Sequence, residues 1–142
     1  MKKIMTTTLI PLGAALLLSG IAQAQTRLDP GKREFESNCA SCHGLTGRGD
    51  GPVAKYLTTP PSNLTQLARR NGGVFPAQLV STTVDGRSVS NVGPHGPRDM
   101  PVWGNVYRAE GMQPGDGDLR GELYTRARIL ELMDYLARIQ EK

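Results

Sequence analysis

The sequence predicts a small all-α fold in a single domain, and three observations carry that prediction. From Glu122 to Gln140 no Gly or Pro occurs, and apolar residues recur at helical spacing. Strand signals are weak: β-branched residues are scattered, and the best run, Val80 to Val84, sits inside a helical pattern. The 17 Gly and 10 Pro punctuate the rest, so long loops join the helices. At 142 residues, 38% apolar and 21% charged, the chain has the length and composition of one globular domain. Two Cys exclude a disulfide-dense scaffold. Two Phe, four Tyr and one Trp are a thin supply for a self-sufficient core, so something other than side chains is expected to fill the middle.

The first segment stands apart. Lys2 and Lys3 open it, Ile4 to Ile21 is uncharged and mostly apolar or small, and Ala22–Gln23–Ala24 is an A-x-A pattern. This reads as a secretory signal peptide over residues 1–24, cleaved before Gln25. Its strongly apolar part, Leu9 to Ile21, is broken by Pro11 and Gly13 and is shorter than the roughly 20 residues that span a membrane. The working domain is then residues 25–142, exported to the periplasm of a Gram-negative cell and free of any span. Without Lys2 and Lys3 it carries 15 Lys and Arg against 13 Asp and Glu, a charge of +2. No basic run with interleaved aromatics points to nucleic acid.

The elements follow in order. Asp29 before Pro30 is a helix start, a side-chain cap followed by Pro at the first helical position. That helix is expected to reach about Asn38, with Gly31 and Phe35 on one face. Residues 44–52 are Gly-rich loop. A short helix is expected over Val53 to Leu57, stopped by Pro60–Pro61, and another from Pro76 to about Val84, stopped by Asp85–Gly86. Residues 86–105 and 110–121 read as loop. The last helix places Ile129, Leu132, Met133, Leu136 and Ile139 inward and Arg126, Arg128, Glu131, Asp134 and Arg138 outward.

The motif that carries chemistry is Cys39–Ala40–Ser41–Cys42–His43, which holds both cysteines of the chain. Cys-x-x-Cys-His is the attachment signature of c-type haem. Two thiols three residues apart can form thioethers to two vinyl groups, and the next residue is then held beneath the iron. Rival readings fit less well. A thioredoxin-like site needs a βαβ context, and no strand precedes Cys39. A zinc site needs about four ligands, and His95 is the one other obvious donor. A local disulfide leaves His43 without a role. Other apparent motifs carry little: Gly47, Gly49 and Gly51 lack the strand and spacing of a dinucleotide site, and Asp116–Gly117–Asp118 lacks the rest of a calcium loop.

With these residues in place, the sequence resembles the class I, mono-haem c-type cytochromes. The resemblance implies a small cytochrome c-like fold whose N- and C-terminal helices cross, with long loops wrapping one covalently attached haem c. It implies that Gly31 and Phe35 pack on Tyr135–Leu136 of the last helix. It implies thioethers at Cys39 and Cys42 and His43 as proximal iron ligand. A Pro carbonyl after the motif is expected to accept the His43 Nδ1 proton, and Pro52 fits that place. The stretch Asp99–Met100–Pro101 resembles the Met-Pro loop of the distal ligand, and Pro101 restricts Met100 to extended geometry. Met112, Met133 and His95 are the other candidates. Met133 is better explained by core packing, and His95 by a surface loop. Trp103 is a candidate to pack near the haem or bond a propionate. Tyr56, Asn63 and Arg98 are further pocket candidates.

The function implied is electron transfer, with iron cycling between Fe(II) and Fe(III) and no substrate at the metal. Partners are a redox donor and an acceptor protein, with Arg69, Arg70 and Arg98 available to steer an acidic one. The alternative is a haem-bearing relay subunit of a periplasmic dehydrogenase or oxidase. A five-coordinate enzyme needs an open distal site, and the Met100 loop argues against it.

Overall fold

The computed structural model describes residues 29–88, 100–115 and 117–142. The proposed signal segment, His95, Arg98 and Asp116 lie outside the described residues. Those described form six helices and no strand: α1 (Pro30–Asn38), α2 (Ala40–His43), α3 (Leu67–Arg70), α4 (Ala77–Asp85), α5 (Trp103–Gly111) and α6 (Gly117–Arg138). Single 3₁₀ turns occupy Ala54–Tyr56 and Leu64–Gln66. Among the described residues no helix is long and apolar enough to cross a membrane.

Helix α1 starts as the sequence indicates. The Asp29 carboxylate accepts from Lys32 N–H at 3.0 Å, and Pro30 follows it. That bond, and then Arg138, hold the Asp29 carboxyl below its ordinary range. Arg138 Nη2 lies 2.7 Å from Asp29 Oδ2, so the start of α1 is tied to the end of α6. The two helices cross at Gly31. A Cβ there would sit 2.0 Å from the Glu131 carbonyl oxygen, a distance no side chain can occupy. Phe35 fills the adjacent space, wholly buried, with its ring 5.3 Å from that of Tyr135. The crossing of terminal helices is therefore present, on the residues expected for it.

Helix α6 presents Ile129, Leu132, Met133 and Leu136 to the core, as its spacing predicts, and buries Thr125 with them. It begins earlier than expected, at Gly117, and continues through Gly121. Helix α5 was not expected, because residues 86–105 and 110–121 read as loop. It lies against α6 so closely that a Cβ on Gly111 would meet Tyr124 Cβ at 2.4 Å. Tyr107 of α5 is fully buried between the two terminal helices. One outward assignment on α6 also changes: Arg128 turns in and pairs with Glu34 of α1. Helix α4 runs from Ala77 to Asp85 and ends in the left-handed Gly86, as its stop signal predicts.

Candidate functional site

The motif is a one-turn helix hung from the end of α1. Cys39 closes α1, with its N–H donated to Phe35 O at 2.9 Å, and α2 continues from it to His43. So short a helix leaves most of its carbonyls without intrahelical partners. The following loop supplies them: Gly49 N–H donates to His43 O (2.7 Å), Gly51 to Cys42 O (3.1 Å) and Val53 to Ser41 O (3.0 Å). The Gly-rich run 44–52 thus wraps the motif and fixes it from the solvent side.

A second loop fixes the imidazole. His43 Nδ1–H donates to Ser62 O at 3.0 Å, across 19 residues of chain. The acceptor expected at Pro52 is therefore displaced. Pro52 is exposed on the turn after the glycines, and the chain returns to His43 only after Pro60–Pro61. With Nδ1 protonated, Nε2 is the nitrogen left as an electron-pair donor.

The segment carrying Ser62 is itself clamped. Leu64 N–H donates to Gly47 O at 2.7 Å, and Asn63 Oδ1 accepts from Thr65 N–H at 2.9 Å. From the chain end, Gln140 bonds Leu64 O at 2.8 Å and Ala68 N–H at 2.9 Å, and Glu141 N–H donates to Thr65 O at 2.7 Å. Asn63 is thus committed to capping a turn. Tyr56 is exposed, beneath Lys55, and lines neither cavity described next.

Two adjoining cavities open beside the motif. The first, of about 240 Å³, is walled mainly by apolar side chains of the core, among them Phe35, Leu67, Val80, Leu132 and Leu136. The second, of about 420 Å³, is bounded by Cys42, Pro60, Pro61, Pro101 and Trp103. Cys39, His43, Ser62, Thr83 and Met100 line both. Trp103 stacks on Tyr107 at 5.8 Å, which anchors the cavity wall to the core. A larger, more polar opening of about 520 Å³ near Gln78, Asp85 and Arg126 contains neither cysteine nor His43.

The three described methionines of the working domain separate cleanly. Met100 lines both cavities with His43. Met133 is buried in the α6 core, and Met112 is 45% exposed; neither borders either of these two cavities. The cysteines are not joined to one another. Burial first, and then the charge of Glu34, pushes the Cys39 thiol up to about 12. Reactive redox cysteines are shifted the other way. Among the described residues no three His, Cys, Asp or Glu converge as a zinc site requires.

The donor set is one imidazole, one thioether and two thiols around an apolar volume, and it fits haem. Sequence reasoning missed Ser62, because its role is played by a backbone carbonyl. It also missed Glu34 and its partners, whose residue types carry no motif. A family model described as "Cytochrome C oxidase, cbb3-type, subunit III" matches residues 26–113. No curated protein and no solved structure matches the chain.

Proposed function

We propose, for a chain that belongs to the class I c-type cytochrome family, a mono-haem electron carrier with His43 and Met100 as axial ligands. Membership implies haem-based electron transfer, with haem c as the cofactor. The observation that carries the finer reading is that His43 and Met100 line the same apolar cavities beside both motif cysteines. Cys39 and Cys42 would hold the haem as thioethers. When bound, the haem supplies an iron that accepts one electron from a donor protein and passes it to an acceptor.

The chain's own residues do the rest. Ser62 O fixes the His43 tautomer, which keeps Nε2 free to bind iron. Met100, as a thioether ligand, would raise the potential relative to a second imidazole. The apolar wall of Phe35, Val80, Leu132 and Leu136 excludes water, which also favours the less charged ferrous state. Residues 1–24 serve as a cleaved export signal, placing the domain in the periplasm.

A second reading has its own support. The matched family is described as an oxidase subunit, and Leu79 is 67% exposed while lining the smaller cavity. Apolar surface thus reaches the cavity mouth, which suits a relay subunit seated on another chain. Co-purification from the periplasm separates a stable complex from a free shuttle.

Visible spectroscopy of the purified protein tests the ligation. The expected result is a low-spin c-type spectrum with the weak red-end Met–iron band in the oxidised state. Met100→Ala is expected to abolish that band and lower the potential. Survival of the band in M100A would refute Met100 as ligand.

A further inference from the structure

Behind the motif, a carboxylate is buried where packing alone gives no reason for one. Glu34 on α1 is 2% exposed and lines neither cavity. Its Oε1 accepts from Tyr107 Oη of α5 and from Asn38 Nδ2, each at 2.6 Å. Its Oε2 meets the Arg128 guanidinium of α6 as an ion pair without an aligned hydrogen bond. Arg128 Nε has no hydrogen-bond partner among the described residues. The guanidinium instead lies over the rings of Tyr107 and Tyr124, at 5.7 and 5.5 Å. Burial, followed by the bond to Glu34, holds the Tyr107 phenol far above its ordinary range, so it remains a donor.

A buried ion pair is weak evidence of a purely stabilising role. Apolar side chains of similar volume commonly stabilise a core as well as a buried ion pair does, or better. Location supplies another account. Asn38, which donates to Glu34, precedes Cys39 in the chain and lines the larger cavity with it, so the carboxylate stands one side chain behind the residue expected to join the haem. The two charges also differ in how well water screens them. The Glu34 side chain is fully enclosed, whereas that of Arg128 is 26% exposed. A charge in the low-dielectric interior acts further than one near solvent. The field left over toward Cys39 is negative.

We propose that the Glu34–Tyr107–Arg128 network tunes the potential of the iron, its buried carboxylate favouring the ferric state. Ferric iron carries one more positive charge than ferrous, so a fixed negative charge stabilises it preferentially. Tyr107 and Arg128 set how much of that charge is felt. These are positioning residues and line neither cavity. The proposal rests on the haem reading above.

Spectroelectrochemical titration of the purified, haem-loaded protein tests it. Glu34→Gln keeps the shape and removes the charge. It is expected to raise the ferrous-to-ferric ratio at fixed ambient potential about tenfold, which is about 59 mV for one electron. The double variant E34Q/R128Q removes both charges and should fall back toward the parent. Tyr107→Phe withdraws a donor from the carboxylate and should shift the potential downward, by less. An unmoved or lowered potential in E34Q overturns the proposal, as does a double variant shifted as far as E34Q. Should E34Q fail to fold, Y107F decides: a potential unchanged or raised overturns it. A parent protein without a c-type haem spectrum would overturn the haem reading, and this proposal with it. A normal spectrum with unmoved potentials overturns this proposal alone.

Discussion

The two sides of the motif helix are built by different physics. Behind it, α1, α5 and α6 meet through side chains and through glycines that let backbones touch. In front of it, loops 44–53 and 60–66 are held largely by backbone hydrogen bonds, and the second of them borders an open apolar volume through Pro60, Pro61, Ser62 and Leu64. The rear side specifies where the motif stands. The front side specifies which nitrogen His43 presents. A helix crossing tolerates little change in volume, while a loop tolerates many sequences if its carbonyls stay in place.

The largest effect is expected from breaking the rear side. Gly31→Val would place two methyl groups where a single Cβ already meets the Glu131 carbonyl at 2.0 Å. The obstacle is helix backbone, so the whole crossing must shift. Overpacking of this kind costs about 3 kcal/mol or more. A denaturant titration of the haem-loaded protein checks it, and the red-end Met–iron band should persist in the folded fraction. Loss of that band at unchanged stability would mean that the two sides are not separable.

The front side gives a smaller effect. Gln140 bonds Leu64 O, Leu136 O and Ala68 N–H, and so ties the chain end to the segment bearing Ser62. Gln140→Ala is expected to cost about 1 to 2 kcal/mol. Because Ser62 O orients His43, the variant should also shift the potential slightly without loss of either ligand. A stability loss with a strictly unchanged potential would show that the Ser62 loop holds itself.

This contrast also explains what was legible in the sequence. Asp29–Pro30, the apolar face of α6 and the Gly31–Phe35 pair follow local rules, and each was readable. The Cys39–Cys42–His43 motif and Met100 could be singled out because their residue types are rare, and they line the same cavity. Helix α5 was hidden because Val102 provides no capping side chain and Gly104 interrupts its first turn. Gly104 costs the helix about 1 kcal/mol in propensity. It is kept because a Cβ there would meet Asp85 and Arg87, a contact no local pattern reveals. Ser62 was hidden for a simpler reason: every residue has a carbonyl, and only the path of the loop selects one. Glu34 and Arg128 each look like ordinary surface charges until the helices cross.

The smallest effect concerns the cluster that joins the end of α4 to the start of α6. Arg87 bonds Asp85 Oδ2 at 2.8 Å and Glu122 Oε2 at 3.1 Å. The Arg87 guanidinium holds the Asp85 carboxyl below its ordinary value of 3.8 and does the same to Glu122. The unfolded chain therefore binds protons at these sites more readily than the folded one. Their contribution is complete above the ordinary carboxylate range and is lost as pH falls through the depressed values. The groups are partly exposed, so solvent screening keeps the effect small. Arg87→Gln should lower stability near pH 6, with the difference from the parent narrowing below about pH 4. Denaturation midpoints at both pH values check this. A difference that stays constant with pH would assign the role of Arg87 to packing against Gly104, and would place this cluster with the rear side of the molecule, where shape governs.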